Sequence, residues 1–174
     1  MSNLQIQYVK KLNSYIQAET DKGFKILKDY SPWHREAIVN YERNCVVFNL
    51  KYLTNKINSF YENFLIGVLY HEIGHLIYFK QYPITFENFT ETYKTNSEYF
   101  AFEYSLKTLI EIANNGDLEP LEATFENIYN RIKKLQDNNI EDENNSYSHV
   151  NALLRLANSE IFHKCQNFLT TASI

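Results

Sequence analysis

The stretch that decides the fold reads Leu69-Tyr70-His71-Glu72-Ile73-Gly74-His75-Leu76-Ile77. In a helix with 3.6 residues per turn, His71 and His75 lie one turn apart on the same face. Two imidazoles placed in this way can both bind one Zn²⁺ at roughly 2.0–2.1 Å. An adjacent glutamate can act as general base on a water molecule at the open coordination position. The pattern therefore predicts a zinc site with Glu72 as its base, and the alternative is a chance pattern on a core helix.

The residues around this motif predict one long, central helix over Phe60–Lys80. Apolar side chains cover most of its surface, which is typical of a helix that is buried on nearly all sides. Two imidazoles and a carboxylate are costly to bury without partners, and a metal ion is the simplest partner for all three. Gly67 and Gly74 lie on the histidine side of the helix. Each lowers helix propensity by roughly 1 kcal/mol, so their presence indicates close approach by another element.

The composition indicates a folded, helix-rich chain that forms one domain over residues 1–174. Hydrophobic residues make up 44% and aromatic residues 16% of the chain, with only four glycines and three prolines, which excludes a disordered protein. The net charge of −4 and the lack of a basic stripe argue against direct binding of nucleic acid. Cys45 and Cys165 are too few for a disulfide framework, so we expect two reduced, mostly buried thiols.

The sequence predicts a cytoplasmic location without contact with a membrane. The N-terminal residues Met1–Gln7 lack the hydrophobic core of a signal peptide. The most apolar run, Phe64–Phe79, is shorter than the roughly 20 residues that a bilayer crossing needs. It also contains His71, Glu72 and His75, and no second apolar segment would shield these ionisable groups.

The clearest strand signals predict a β-hairpin. The segments Ala37-Ile38-Val39 and Cys45-Val46-Val47-Phe48 are rich in β-branched residues, and the polar segment Asn40–Asn44 separates them. We therefore expect an α+β fold that is mostly helical, with a small antiparallel sheet packed on the motif helix. An edge strand beside a metal can pair with an extended peptide through main-chain hydrogen bonds. The sequence is equally compatible with a purely structural sheet.

A second strong helix is predicted from Asn96 to about Ala113, with Thr95 or Asn96 as its N-cap. We predict Glu98, in the first turn, as the third metal ligand, because two histidines need a further donor and a catalytic site leaves one position open for water. The alternative is a carboxylate that only interacts with the positive end of the helix dipole. Glu91, in the segment before the helix, is the other candidate ligand.

Small residues on the same face of this helix support the assignment of Glu98. Ala101 and Ser105 follow it at i+3 and i+7, so they would let the helix pack closely against the two glycines of the motif helix. Glu103 lies roughly 140° round the helix from Glu98, which excludes it from the same site.

The C-terminal part is predicted to contain two further helices, over Glu119–Leu135 and from about His149 to Phe168, joined by a polar loop at Asp137–Ser148. Catalysis on a carbonyl group usually needs a second electrophile, a Tyr or a His, that stabilises the oxyanion. His149, beside the polar loop and Tyr147, is the candidate for this role. An ordinary surface histidine is the alternative.

The combination of motifs resembles the ImmA/IrrE family of small gluzincin metallopeptidases. The matching segments are His71-Glu72-Ile73-Gly74-His75, the pattern Glu98-x-x-Ala101-x-x-Tyr104-Ser105 and the preceding Val46-Val47-Phe48-Asn49. Tyr104 and Ser105 differ from the family pattern, which has Phe and Ala at these positions. The resemblance implies a zincin-like fold, with His71, His75 and Glu98 as zinc ligands and Glu72 as general base. It also implies cleavage of regulatory proteins such as repressors.

Two related zinc-peptidase signatures do not match this chain. The metzincin signature needs Gly and His at the positions that Tyr78 and Gln81 occupy. The thermolysin-like pattern has an Asp that supports the metal ligands where this chain has Phe102. The sequence also contains no helix-turn-helix pattern, which is the usual element for binding an operator.

The function predicted from these observations is hydrolysis of a peptide bond by a zinc-dependent peptidase. A protein or peptide is the expected substrate, with a transcriptional regulator as one form of it, and neither nucleic acid nor a membrane is an expected partner. The alternative is a non-catalytic zinc-containing protein that binds a regulator or inhibits a host protein. Glu72 favours hydrolysis, because it is not a ligand and metal binding alone does not require a glutamate there.

Overall fold

The computed structural model describes residues 3–29, 36–49, 58–137 and 146–172. The fold of this part is α+β and mostly helical, as expected, and its strands form one small sheet. None of its helices combines the length and the apolarity that a bilayer crossing needs. In chain order the elements are α1 (Asn3–Asp21), β1 (Ile26–Asp29), β2 (Ala37–Asn40), β3 (Cys45–Asn49), α2 (Ser59–Gln81), α3 (Glu91–Asn114), α4 (Glu119–Gln136), α5 (Tyr147–Ala157) and α6 (Glu160–Ala172).

The motif helix α2 lies at the centre of the fold, and its predicted extent is confirmed to within one residue at each end. Asn58 is its N-cap, because the side-chain oxygen accepts the N–H of Tyr61 at 2.8 Å. Helices α1, α3 and α4 and the sheet all contact α2. The side chains that are fully buried by these contacts include Leu65, Ile66, Leu69 and Ile73. Polar groups on this helix therefore lie in the interior, where they need partners.

The three strands form a mixed sheet in the order β1-β3-β2. The predicted hairpin is confirmed, since β2 pairs antiparallel with β3 and Ala37 lies opposite Phe48. Strand β1 corrects the expectation of a purely antiparallel sheet, because it pairs in parallel with β3. Its four residues do not alternate in polarity, so the sequence pattern does not predict it. Strand β2 is left as one edge of the sheet.

Helix α3 begins earlier than the sequence predicts. Thr90 is its N-cap, with Oγ1 accepting the N–H of Tyr93 at 3.2 Å, so the helix starts at Glu91 and not at Asn96. Tyr93 is buried and its hydroxyl donates to the carbonyl oxygen of Tyr82 at 2.5 Å, a tertiary contact that favours the additional helical residues. Glu98 therefore lies two turns inside the helix, and the expected interaction with the dipole of the first turn is wrong.

The C-terminal helix predicted from His149 to Phe168 is two helices, α5 and α6. The predicted helix Glu119–Leu135 is confirmed as α4. The break follows Ala157, and Ser159 stabilises it: Oγ donates to the carbonyl oxygen of Leu156 at 2.6 Å and accepts the N–H of Phe162 at 3.3 Å. Serine commonly caps helices in this way. Residues 138–145 of the predicted polar loop lie outside the described residues, and α5 already begins at Tyr147.

The contact between α2 and α3 is close because both helices have small residues where they cross. A Cβ atom at Gly74 would lie 2.8 Å from Cα of Ala101, so the predicted contact is confirmed for this glycine. Ser105 Oγ donates a hydrogen bond to the carbonyl oxygen of Gly67 at 2.9 Å. A Cβ atom at Gly67, however, would overlap the side chain of Thr124. The missing side chain of Gly67 therefore serves the approach of α4, which corrects the expectation that both glycines face α3.

We expect the substitution Gly74→Ala to lower the free energy of unfolding by about 1–2 kcal/mol. The added methyl group meets backbone atoms of Ala101, which cannot rotate away, so we expect a cost of about 2–3 kcal/mol, in the upper part of the usual range for overpacking. The higher helix propensity of alanine offsets roughly 1 kcal/mol of that cost. Urea unfolding measures the difference, with the exposed-site variant Lys164→Ala as a control. An unchanged or increased free energy of unfolding would contradict the close contact.

Candidate metal centre

The two motif histidines meet at their Nε2 atoms. His71 Nε2 lies 3.2 Å from His75 Nε2, and the two rings are perpendicular. Their side chains are only 14% and 12% exposed, because side chains of α3 (Ser97, Glu98 and Phe102) and His149 of α5 lie against them. The helical spacing of four residues is what brings the two nitrogens together.

Glu98 supplies the third atom of the cluster from the neighbouring helix α3. Its Oε2 atom lies 3.3 Å from His71 Nε2 and 3.5 Å from His75 Nε2. Around a tetrahedral ion with ligand distances of roughly 2.0–2.1 Å, neighbouring ligand atoms are about 3.3 Å apart. The three edges of this triangle match that spacing, so the group could hold a metal ion.

The surroundings of the carboxylate of Glu98 are also consistent with a metal ion at this position. Glu98 Oε2 is buried, and three ring nitrogens lie within 3.5 Å of it, but none of these contacts within the described residues has good hydrogen-bond geometry. A buried carboxylate oxygen without a well-oriented hydrogen bond costs free energy, even though three imidazoles surround it. A metal ion bound between Glu98 and the two motif histidines would satisfy this oxygen and both Nε2 atoms together.

The electrostatics of the cluster favour the metal-binding protonation states of His71 and Glu98, whereas the raised pKa of His75 favours its protonated form. Burial, with a contribution from the neighbouring imidazoles, lowers the pKa of His71 to about 4. Burial alone would raise the pKa of Glu98, but the imidazoles of His149, His71 and His75 outweigh it and lower the pKa. Burial alone would lower the pKa of His75, but Glu98 outweighs it and raises the pKa. A neutral His71 and an ionised Glu98 are the forms that ligate a metal.

The second ring nitrogens of the two histidines have different surroundings. His75 Nδ1 lies 2.7 Å from Ser97 Oγ, a hydrogen bond that holds the ring with Nε2 towards the cluster. No sequence signal identifies Ser97 in this role. His71 Nδ1 has no hydrogen-bond partner within the described ranges, and the ring of Phe102 packs against His71 with centroids 4.5 Å apart. Phe102 therefore supplies a hydrophobic contact at the position where the thermolysin-like pattern has a supporting carboxylate.

His149 joins the cluster from the first turn of α5. Its Nδ1 lies 3.0 Å from Glu98 Oε2, and its ring packs against Phe102 with centroids 5.0 Å apart. The side chain is 20% exposed, which contradicts the alternative of an ordinary surface histidine. Its Nε2 atom is buried and makes no hydrogen bond with the part of the chain that is described. His149 thus brings a fourth polar side chain to the site.

Glu72 lines the same cleft as the four residues of the cluster. It is half-buried, and it follows His71 directly on α2. Its negative charge is one of the influences that raise the pKa of His75, so the carboxylate acts on the site electrostatically. The structure therefore places all five sequence-predicted site residues around one cleft, and their chemical roles stay predictions.

The other candidate carboxylates do not join the cluster. Glu91 lies at the first position of α3 and pairs with Lys94 at 3.7 Å. Glu103 pairs with Lys107 at 3.3 Å on another face of the helix, as its position 140° from Glu98 predicts. Both pairs are of the exposed kind that contributes little to stability.

The cleft that contains the cluster has a volume of about 1440 Å³. Its walls come from the sheet, the motif helix α2, helix α3, the middle of α4 and the first turn of α5. A space of this size accommodates a segment of extended peptide as well as a small molecule. Because β2 has a free edge in the described sheet, a peptide in the cleft could pair with its main chain.

We expect the substitution Ser97→Ala to weaken metal binding by about 10- to 100-fold. The hydroxyl orients the His75 ring, and loss of such a contact typically has an effect of this size. Competition with a chromophoric chelator measures the affinity, with the neighbouring variant Thr95→Ala as a control. Equal affinities of Ser97→Ala and the unmodified protein would contradict the orienting role.

No family model, curated protein or solved structure matches this chain. The function proposed below therefore depends on the geometry of the described side chains, together with the resemblance in the motifs.

Proposed function

We propose that this protein is a zinc-dependent metallopeptidase that hydrolyses a peptide bond in a regulatory protein. The observation that carries the proposal is the triangle formed by His71 Nε2, His75 Nε2 and Glu98 Oε2, with edges of 3.2, 3.3 and 3.5 Å. Two imidazole nitrogens and one carboxylate oxygen are the ligand set of many catalytic zinc sites, where the fourth position stays open. The zincin-like, gluzincin-type assignment rests on the same ligand set and on the resemblance to the ImmA/IrrE family.

Zinc suits this site better than Mg²⁺ or Ca²⁺ for chemical reasons. Imidazole nitrogens favour Zn²⁺ over Mg²⁺ and Ca²⁺, which prefer six or more oxygen ligands. A bound Zn²⁺ supplies Lewis acidity that polarises a carbonyl group and lowers the pKa of a water molecule. Catalytic zinc sites usually have three protein ligands and structural zinc sites four, so the three ligands proposed here are consistent with a catalytic site.

Glu72 is proposed as the general base. Its carboxylate lines the cleft, next to a proposed ligand in sequence but outside the ligand set, so it can accept the proton of the attacking water. After the attack, the same carboxylate can return the proton to the leaving amine. This double use of one glutamate needs a group that lies near the metal site without being a ligand, and Glu72 lines the cleft and is outside the ligand set.

His149 is proposed as the residue that stabilises the oxyanion. Its Nε2 atom is buried in the wall of the cleft and has no hydrogen-bond partner among the described residues. Because Nδ1 faces the carboxylate of Glu98, Nε2 donates a hydrogen bond to the negative oxygen on the attacked carbonyl when the ring carries both protons. Packing against Phe102 holds the ring in place.

The edge strand β2 supports a protein or peptide as the substrate class. An extended chain paired with β2 would run along the cleft with its carbonyl groups near the metal. The resemblance to ImmA/IrrE peptidases suggests that this chain belongs to a regulatory protein such as a repressor. The proposed location of the reaction is the cytoplasm.

Removal of the metal is expected to lower Tm. At a metal concentration 100-fold above Kd, binding stabilises the folded state by about 2.7 kcal/mol, or roughly 5–10 °C for a chain of this size. Differential scanning calorimetry with zinc and with a chelator measures the shift. The variant Glu98→Gln should lose most of the shift, whereas Glu91→Gln, with its carboxylate on the same helix, should keep it. A folded protein whose Tm does not respond to zinc would contradict the metal centre.

We expect the substitution Glu72→Gln to reduce cleavage by about 100- to 10,000-fold while zinc stays bound, since general acid–base catalysis typically contributes a factor of this size. Mass spectrometry of a mixed library of unstructured peptides measures the cleavage, and elemental analysis measures the zinc. Glu103→Gln is the matched control on the surface.

Two results would overturn catalysis by Glu72. The first is cleavage by Glu72→Gln at the rate of the unmodified protein. The second is zinc binding without any cleavage by the unmodified protein, combined with binding of a regulatory protein by both forms. That second result would identify the protein as a non-catalytic, zinc-containing binding protein.

A further inference from the structure

The cleft continues from the candidate metal centre into a wall of aromatic side chains. This aromatic wall consists of Tyr41, Phe79, Phe89 and Tyr93, and all four residues line the cleft. Resting on the proposed peptidase function, we infer that the aromatic wall binds an aromatic or large aliphatic side chain of the substrate, next to the bond that is cleaved.

The aromatic wall begins directly at a candidate ligand. The ring of Phe79 is stacked on the imidazole of His75, with centroids 5.8 Å apart. The ring of Tyr93 is stacked on Phe79 in turn, at 6.3 Å and almost parallel. Tyr41 meets Phe79 edge-on at 6.3 Å, and Phe89 meets Tyr93 at 6.1 Å. A side chain that contacts these rings therefore belongs to a residue close to the metal.

The inner rings of the aromatic wall, Phe79 and Tyr93, are held in place before any ligand binds. Tyr93 is only 8% exposed, and its hydroxyl donates a hydrogen bond to the carbonyl oxygen of Tyr82. Tyr78 packs edge-on against Tyr93 at 5.4 Å from behind. A preformed apolar surface binds a side chain without the entropic cost of ordering its own groups.

The outer rings leave apolar surface open to the cleft. Tyr41 is 54% exposed and Phe89 is 47% exposed, although rings of this size are usually buried. Lys94 lies over the Phe89 ring at 5.0 Å, and it pairs with Glu91 at 3.7 Å. The two opposite charges at this rim balance each other. The surface therefore selects for apolar contact area and not for an ionic side chain.

The edge strand leads to the aromatic wall. Tyr41 directly follows Asn40, the last residue of β2, so a peptide paired with this strand reaches the wall at the end of the pairing. In an extended peptide, alternate side chains point to the same side, and the main-chain pairing sets which residue meets the rings. Strand and wall together would select both the extended conformation and one bulky side chain.

The test uses two matched hydroxamates that differ only in the side chain beside the metal-binding group, benzyl in one and hydrogen in the other. Isothermal titration of each into the zinc-loaded protein measures binding and needs no cleavage. We expect the benzyl compound to bind about 10- to 100-fold more tightly, because an aromatic side chain brings a large apolar surface into the pocket. The variants Phe89→Ala and Tyr41→Ala should reduce this preference to less than about 3-fold. The compound with hydrogen in place of the benzyl group should bind these two variants as tightly as it binds the unmodified protein.

Phe60→Ala is the matched control, since Phe60 is an exposed phenylalanine on α2 outside the cleft, and it should keep the full preference. Equal affinities of the two compounds for the unmodified protein would overturn the aromatic pocket while leaving the metal centre intact. A preference for the benzyl compound that is unchanged in both Phe89→Ala and Tyr41→Ala would also overturn the aromatic pocket and leave the metal centre intact. Failure of both compounds to bind the zinc-loaded protein would overturn the proposed function, and the pocket with it.

Discussion

The crossing of α2 and α3 at Gly74 is the contact on which the rest of the structure depends. Because Gly74 has no side chain, the backbone of Ala101 approaches the backbone of Gly74 more closely than any other residue at position 74 would allow. Glu98 lies one turn before Ala101, so the same crossing carries its carboxylate to the paired imidazoles. If the two helices were further apart, every helix could stay intact, but Glu98 Oε2 would no longer lie close to the Nε2 atoms of His71 and His75.

The chemistry of the site follows from what burial does to polar groups. Four titratable side chains converge where α2, α3 and α5 meet, and the buried atom Glu98 Oε2 lies within 3.5 Å of three ring nitrogens without a well-oriented hydrogen bond in the described part of the chain. Such an arrangement costs stability unless a cation compensates it. Natural proteins retain unfavourable arrangements mainly at functional sites. The cost of this cluster is thus itself a reason to assign it a function.

Some predicted boundaries of helices and strands were wrong, although the predicted site residues do lie close together. The start of α3 was expected at Asn96, and the helix begins at Glu91 because Thr90 caps it and Tyr93 packs into the fold. Glu98 nevertheless lies at the cluster, since the face it shares with Ala101 depends on spacing and not on where the helix begins. Strand β1 lacks a strong local pattern, and its pairing with β3 defines it. The break at Ser159 depends on local hydrogen bonds of that side chain, which the apolar periodicity of the segment does not indicate.

By itself, the sequence determined the central helix, the hairpin and the paired histidines, because helical and strand periodicity are properties of neighbouring residues. It also indicated Glu98 through the small residues that share its face. Only the tertiary structure decided that Ser97 orients His75, that His149 lies against Glu98 and that Tyr41 and Tyr93 pack on Phe79 beside the site. These relations join residues that are far apart in the chain, and no periodicity encodes which distant side chains will meet.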